Sequence, residues 1–141
     1  MPAASDAAAA PALVIRHVTF DCRDPYRLAG FWSAATGWPA HQQNEPGSDE
    51  AAVLPPDPGL PWLLFIRVPE GKSVKNRVHL DVGPVGLTRD RQVERLRGLG
   101  AEVVADLRRS DGTGWVVMAD PEGNEFCVER SDAERAAAGQ A

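Results

Sequence analysis

The chain is short of cysteine, short of lysine and without a long apolar run, and each shortage removes a class of function. No stretch approaches the roughly 20 apolar residues that cross a bilayer, so no membrane span is expected. The first twelve residues are rich in alanine and proline and lack a basic leader segment, so no secretory signal is expected either. Cys22 and Cys127 are the only cysteines and show no Cys-x-x-Cys spacing. They read as free thiols of a reducing cytoplasm rather than as a disulfide. Lysine occurs only at Lys72 and Lys75, the arginines are scattered, and the net charge is −5, so neither nucleic acid nor an anionic membrane is an expected partner. Missing too are the Gly-x-Gly-x-x-Gly fingerprint, a Walker-type phosphate loop and a Gly-x-Ser-x-Gly nucleophile elbow.

What is present is a repeat. His17 opens the run His17-Val18-Thr19-Phe20, and His79 opens His79-Leu80-Asp81-Val82, 62 residues later. Gly37 and Gly100 each close a helix-like stretch, and Asp57-Pro58 and Asp120-Pro121 each precede a late apolar run, both pairs at an offset of 63. A near-constant offset across unrelated residue types indicates an internal duplication. With 43% hydrophobic and 25% charged residues the composition is that of an ordinary globular domain.

The first copy reads as a strand over 13–21 with period-2 alternation, then a helix capped by Asp24 with Pro25 at its first position and stopped by Gly37. A proline-rich region over 39–61 follows, with weak strand signals at 51–54, and then a strong strand over 62–68. The second copy reads as a strand over 77–82, a helix over 88–98 capped by Thr88 and ended by Gly100, and strands near 102–108, 114–119 and 124–130. The fold class is α+β, with one domain over 13–130 made of two βαβββ modules, about 13–70 and 71–130. Residues 1–12 and 131–141 read as tails, the alanine-rich C-terminus being able to prolong a frayed helix.

The segments Asp24-Pro25, Leu28-Ala29-Gly30-Phe31-Trp32, Gly37-Trp38, Val74 to Val82, Arg95-Leu96 to Glu102 and Asp120 to Cys127 together resemble the vicinal oxygen chelate superfamily, and within it the glyoxalase-like domains. The resemblance covers about 13–130 and implies a cup-shaped mixed sheet with helices outside. It also implies a divalent cation held in the cup by one ligand from the first strand and one from the last strand of each module. His17 and His79 match the first-strand positions. Four residues after the glycine of the Asp-Pro-x-Gly turn, where metal-binding members commonly carry glutamate, this chain has Cys127; the matching place in the first module is Leu63 or Leu64.

Strand alternation puts His17, Thr19 and Asp21 on one face, Arg77, His79 and Asp81 on another, and Glu125, Cys127 and Glu129 on a third. The opposite faces are apolar and should meet the helices. His17, His79 and Cys127 are the candidate metal ligands, a set suited to zinc or another borderline ion. Glu125 or Glu129 could replace the thiolate or act as general base, but as a ligand each lies two residues away, about 6–7 Å along a strand, and needs a bulge or register shift. Asp21, Arg77, Asp81, Trp62 and Trp115 are candidate ligand contacts; ion pairing of Arg77 with an acidic neighbour and core packing of the tryptophans are the structural alternatives.

Two functions follow from the resemblance. One is a metal-dependent lyase, isomerase, ring-cleaving dioxygenase or thiol transferase using one divalent ion (Zn, Ni, Mn or Fe). The other is a metal-free binder of a drug or metabolite, of the bleomycin-resistance type. A fold kept as a regulatory domain is a third. A small-molecule ligand and a homodimer are the expected partners.

Overall fold

The computed structural model describes residues 10–139. Most of the expected N-terminal tail lies outside them. The element order is β1 (His17–Cys22), α1 (Pro25–Thr36), β2 (Glu50–Val53), β3 (Trp62–Arg67), β4 (Leu80–Val82), α2 (Arg89–Leu99), β5 (Glu102–Asp106), β6 (Val116–Ala119), β7 (Glu125–Val128) and α3 (Asp132–Ala137). The strand expected from residue 13 begins at His17, and Leu13, Val14 and Ile15 ahead of it are exposed. Asp24 caps α1 by accepting from Arg27 N–H, Pro25 occupies the first turn, and Gly37 ends the helix with a positive φ of 74°. Thr88 and Gly100 do the same for α2.

Each module makes one mixed sheet, ordered β1-β3-β2 and β4-β7-β6-β5. In both, the first strand runs parallel to the last, and the last pairs antiparallel with the strand before it. The second module is a complete βαβββ unit. In the first, the strand after α1 shrinks to a single bridge between Ala40 and Val53. Pro39 has no N–H to give a ladder, and the chain turns away after His41. The Asn44 side chain takes over, donating to Ala52 C=O at 2.8 Å and accepting from Ala52 N–H at 2.9 Å.

One core serves both modules. Along β1 exposure alternates, with Val18 and Phe20 turned toward the core and His17, Thr19 and Asp21 away from it. Trp32 on α1 packs 5.4 Å from Phe20 of its own module and 5.0 Å from Phe126 on β7 of the other. Burying each such side chain contributes about 1.5–3 kcal/mol, so α1 ties the two sheets together through its apolar face. Residues 131–141, expected as a tail, include α3, fixed by a capping box between Ser131 and Glu134.

A polar clamp reinforces the joint. The turn between β6 and β7 presents Asp120, only 4% exposed, whose carboxylate accepts from the Trp32 indole N–H at 3.1 Å, Glu122 N–H at 2.9 Å and Asn124 N–H at 3.0 Å. From the same turn Glu122 accepts Arg23 N–H at 2.9 Å and Asp24 N–H at 2.8 Å, just ahead of α1. The corresponding Asp57 of the first module is exposed, and its carboxylate accepts only Gly59 N–H among the described residues.

Burial pushes the Asp120 carboxyl above its ordinary range, against the pull of Asn124, Trp32 and Glu122. Because the folded pKa is raised, this term favours the fold most below the unfolded pKa and is lost as pH rises through the folded one. Asp120→Ala, which leaves buried donors unpaired, should lower stability by about 2–3 kcal/mol, with the deficit against wild type largest in mild acid. Asp57→Ala should cost under about 1 kcal/mol. Urea unfolding of both variants across pH checks this, and equal losses would refute the clamp.

Candidate functional site

The parallel pairing of β4 with β7 sets Asp81 beside Cys127, and β6 sets Val117 on the other side of Cys127. Phe126 and Val128 point into the core, so Cys127 between them faces the opposite way, as does Asp81 on β4. His79, just ahead of β4, shares the Asp81 face. The result is a cluster in which donor atoms of His79, Asp81 and Cys127 all lie within 4.8 Å of one another. His79 Nε2 is 3.3 Å from Asp81 Oδ1, and the Cys127 sulfur lies within 4.8 Å of both side chains' donor atoms. Cys127 is 8% exposed, and burial first and Asp81 second push its thiol above its ordinary range. Left to itself, this is a protonated thiol and not a nucleophile.

Beside the cluster is a cleft of about 290 Å³ in which the modules meet. The first module lines it with Thr19, Phe20 and Asp21, the second with Asn76, Arg77 and His79. His79 belongs to both the cluster and the cleft.

The pattern of the glyoxalase-like domain matches residues 17–129, which takes in both sheets, the cluster and the cleft. The chain belongs to the glyoxalase-like family. Solved structures of the same fold include a possible glyoxalase from Bacillus cereus, 18% identical, covering 84% of this chain and 99% of that one, with a TM-score of 0.59. The fosfomycin resistance protein FosX from Mesorhizobium loti is 21% identical over 86% of this chain and 94% of its own, with a TM-score of 0.59. A mutant FosX from Listeria monocytogenes, solved with Mn(II) and a dihydroxypropylphosphonic acid, is 17% identical over 89% and 95%, with a TM-score of 0.62. At these identities the likeness is one of fold. None of the curated protein sequences compared matches the chain.

Within this glyoxalase-like cup the expected site residues separate into groups. His79 and Cys127 come together, joined by Asp81. His17 lies outside the cluster; its ring is tilted against Trp62 with centroids 5.8 Å apart, and His41 from the proline-rich loop is tilted against the same Trp62 at 5.9 Å. The position paired with Thr19, as Cys127 is with Asp81, is Leu64. Trp62 and Trp115 are 38% and 37% exposed and stay out of the core. Arg77 and Asp21 reach the cleft, and among the described residues neither side chain makes an ion pair.

Glu125 and Glu129 are committed elsewhere. β7 pairs with β4 and β6 in unbroken register, so no bulge carries either glutamate to the Cys127 position. Glu129 pairs with Arg135 of α3 at 2.9 Å. Glu125 accepts Lys72 at 2.7 Å and Asn76 N–H at 3.0 Å, which fastens the 72–76 segment along the cleft. Burial works against ionisation of Glu125, but Lys72 and Asn76 outweigh it and hold the carboxyl below its ordinary range. Nothing in the sequence marks Lys72 for this role, since its partner is 53 residues away.

A depressed pKa means the latch stabilises above the unfolded pKa and is lost as pH falls through the folded one. Glu125→Gln should therefore speed tryptic cleavage at Lys72, Lys75 and Arg77 several-fold at neutral pH, with the rest of the chain resistant. Unchanged cleavage would show that the latch does not hold the segment.

Proposed function

We propose that this glyoxalase-like protein holds one divalent cation at His79, Asp81 and Cys127 and acts on a small oxygenated molecule in the adjoining cleft. The observation that supports it is the convergence of an imidazole nitrogen, a carboxylate oxygen and a sulfur within 4.8 Å. This donor set fits zinc, nickel or iron, with manganese the poorest match to a thiolate. When bound, the ion supplies Lewis-acid polarisation of a substrate oxygen.

The chain's own residues do the rest. Loss of the thiol and imidazole protons frees His79 and Cys127 to ligate. Arg77 and Asn76 line the cleft where a substrate's oxygens would be oriented. The acid–base role moves from Glu125 and Glu129, both ion-paired, to Asp21, a cleft carboxylate with no hydrogen-bond donor on its side chain among the described residues. Reactions that begin by moving a proton, isomerisation and elimination, suit a free carboxylate best. A second reading, metal-free binding of a drug or metabolite, draws on Leu64, which gives the first module no donor opposite β1.

Elemental mass spectrometry of the full chain after loading and desalting should find about one equivalent of metal. His79→Ala and Cys127→Ala should lose it, whereas His17→Ala should keep it. A wild-type protein that retains none would leave the metal-free reading.

A homodimer belongs to the same proposal. β1 and β4 are the outer strands of their sheets, and Val14, Ile15 and Val78 beside them are exposed. Sedimentation velocity should show a species of twice the chain mass; a monomer at every concentration would refute it.

A further inference from the structure

Val82 of β4 and Phe126 of β7, on the core side of the second sheet, also floor a separate cavity of about 470 Å³. It lies between the last turn of α1, the facing side of α2 and the loop that joins β4 to α2. It is larger than the 290 Å³ cleft and falls in the range of roughly 300–1,000 Å³ that small-molecule sites occupy. Trp32, Trp38, Leu87 and Leu96 complete its apolar lining. Trp32 and Phe126, 2% and 1% exposed, line the cleft as well, so the two cavities stand on opposite sides of one wall.

The walls are fixed by hydrogen bonds. Arg95 of α2 donates from Nη1 to Ala35 C=O at 3.2 Å and from Nη2 to Ala34 C=O, which ties α2 to the last turn of α1. Trp38 is held through its backbone: its N–H donates to Thr36 Oγ1 at 3.1 Å, and its C=O accepts from Ser33 Oγ at 2.6 Å. The Trp32 indole N–H is taken by Asp120, so Trp32 offers the cavity only its ring. A cavity formed in advance loses little when it is filled.

The polar part of the lining selects against charge. No acidic side chain lines the cavity, and its one cation, Arg95, already donates to the two α1 carbonyls and to Gln92 Oε1 at 3.0 Å. Those carbonyls are the negative end of the helix, so a carboxylate would lose its water here and meet no unpaired cation. Thr36 Oγ1 is engaged too, donating to Trp32 C=O at 2.6 Å. What remains are donors: among the described residues the Trp38 indole N–H and the Gln92 amide N–H groups make no hydrogen bond. We propose that this cavity is a second binding site, distinct from the cleft, for an uncharged aromatic molecule that carries a carbonyl oxygen. The two indoles receive its ring, and the free donors receive its oxygen. Neither the metal centre nor the chemistry of the cleft is needed for it.

The test is a proton–nitrogen correlation NMR titration of the full chain with acetophenone. Saturable shifts are expected at the Trp38 indole N–H and the Gln92 amide. The Trp62 and Trp115 indoles and the side-chain amide of Asn76, which lines the cleft, should stay in place. Benzoate, the same ring with a charge, should bind at least about tenfold more weakly. Ala35→Phe, which puts a ring into the cavity, should abolish the shifts. Trp38→Phe, which keeps a ring and removes the N–H, should weaken binding about fivefold. The shifts should survive in His79→Ala and in chelator, so failure of the metal centre and failure of this site are separate results. No saturable shift, shifts confined to Asn76, unchanged binding by Ala35→Phe or Trp38→Phe, or benzoate matching acetophenone would each overturn the proposal. So would an affinity that falls as protein concentration rises, since a second copy would then be what covers the cavity.

Discussion

The joint between the modules rests on the Asp120 carboxylate. It holds the Trp32 indole N–H, and Trp32 is the side chain that touches Phe20, Phe31 and Phe126, which come from both halves of the core. The same turn sends Glu122 to the backbone ahead of α1. Two tandem units without such a fixed joint would form two sheets with no defined cleft between them. Here the turn after β6 sets where β1 stands relative to β4 and β7, and so brings Asp21 and His79 to one cleft. Burying that carboxylate costs solvation, and its donors offset only part of the cost.

Duplication gave the chain two of everything, and the copies have since taken different tasks. Asp57 lies exposed while Asp120 is buried and holds the Trp32 indole N–H. Leu64 stands where Cys127 stands, and His17 faces Trp62 while its counterpart His79 faces Asp81. The first module supplies an aromatic surface and a carboxylate; the second supplies the donor cluster. A cation at the cluster would therefore be an affair of one module, reached from the other across the cleft.

Elements were legible in the sequence wherever local chemistry decides them. Asp24-Pro25 with Gly37, and Thr88 with Gly100, carry their helices' limits in the caps, and period-2 alternation separated Phe126 and Val128 from Cys127. The first module's missing strand was less legible, because its ladder is replaced by Asn44, a side chain whose partner Ala52 no spacing rule identifies. At the site, His79, Asp81 and Cys127 could be grouped by face, since alternation and a parallel pair suffice. His17 could not be placed, because its position depends on how two sheets meet and not on either alone. The engagement of Glu125 by Lys72 and of Glu129 by Arg135 depends on loops and a terminal helix that fold back, and those contacts leave no periodic trace.

Seen along β7, alternate residues on a single face do three different things. Glu125 fastens the segment beside the cleft, Cys127 joins the donor cluster, and Glu129 fixes α3 through Arg135. A strand spaces them about 7 Å apart, so each sits too far from the next for any one to substitute for another without a change of register. A carboxylate at the middle position would place a third acid between two that are already paired. A thiol avoids that repulsion: burial and Asp81 favour its neutral form, and a cation at the proposed site would be what balances the loss of its proton. Cysteine at 127 is then consistent with its two glutamate neighbours, and it would tie the affinity of the proposed metal site to pH more tightly than a carboxylate would.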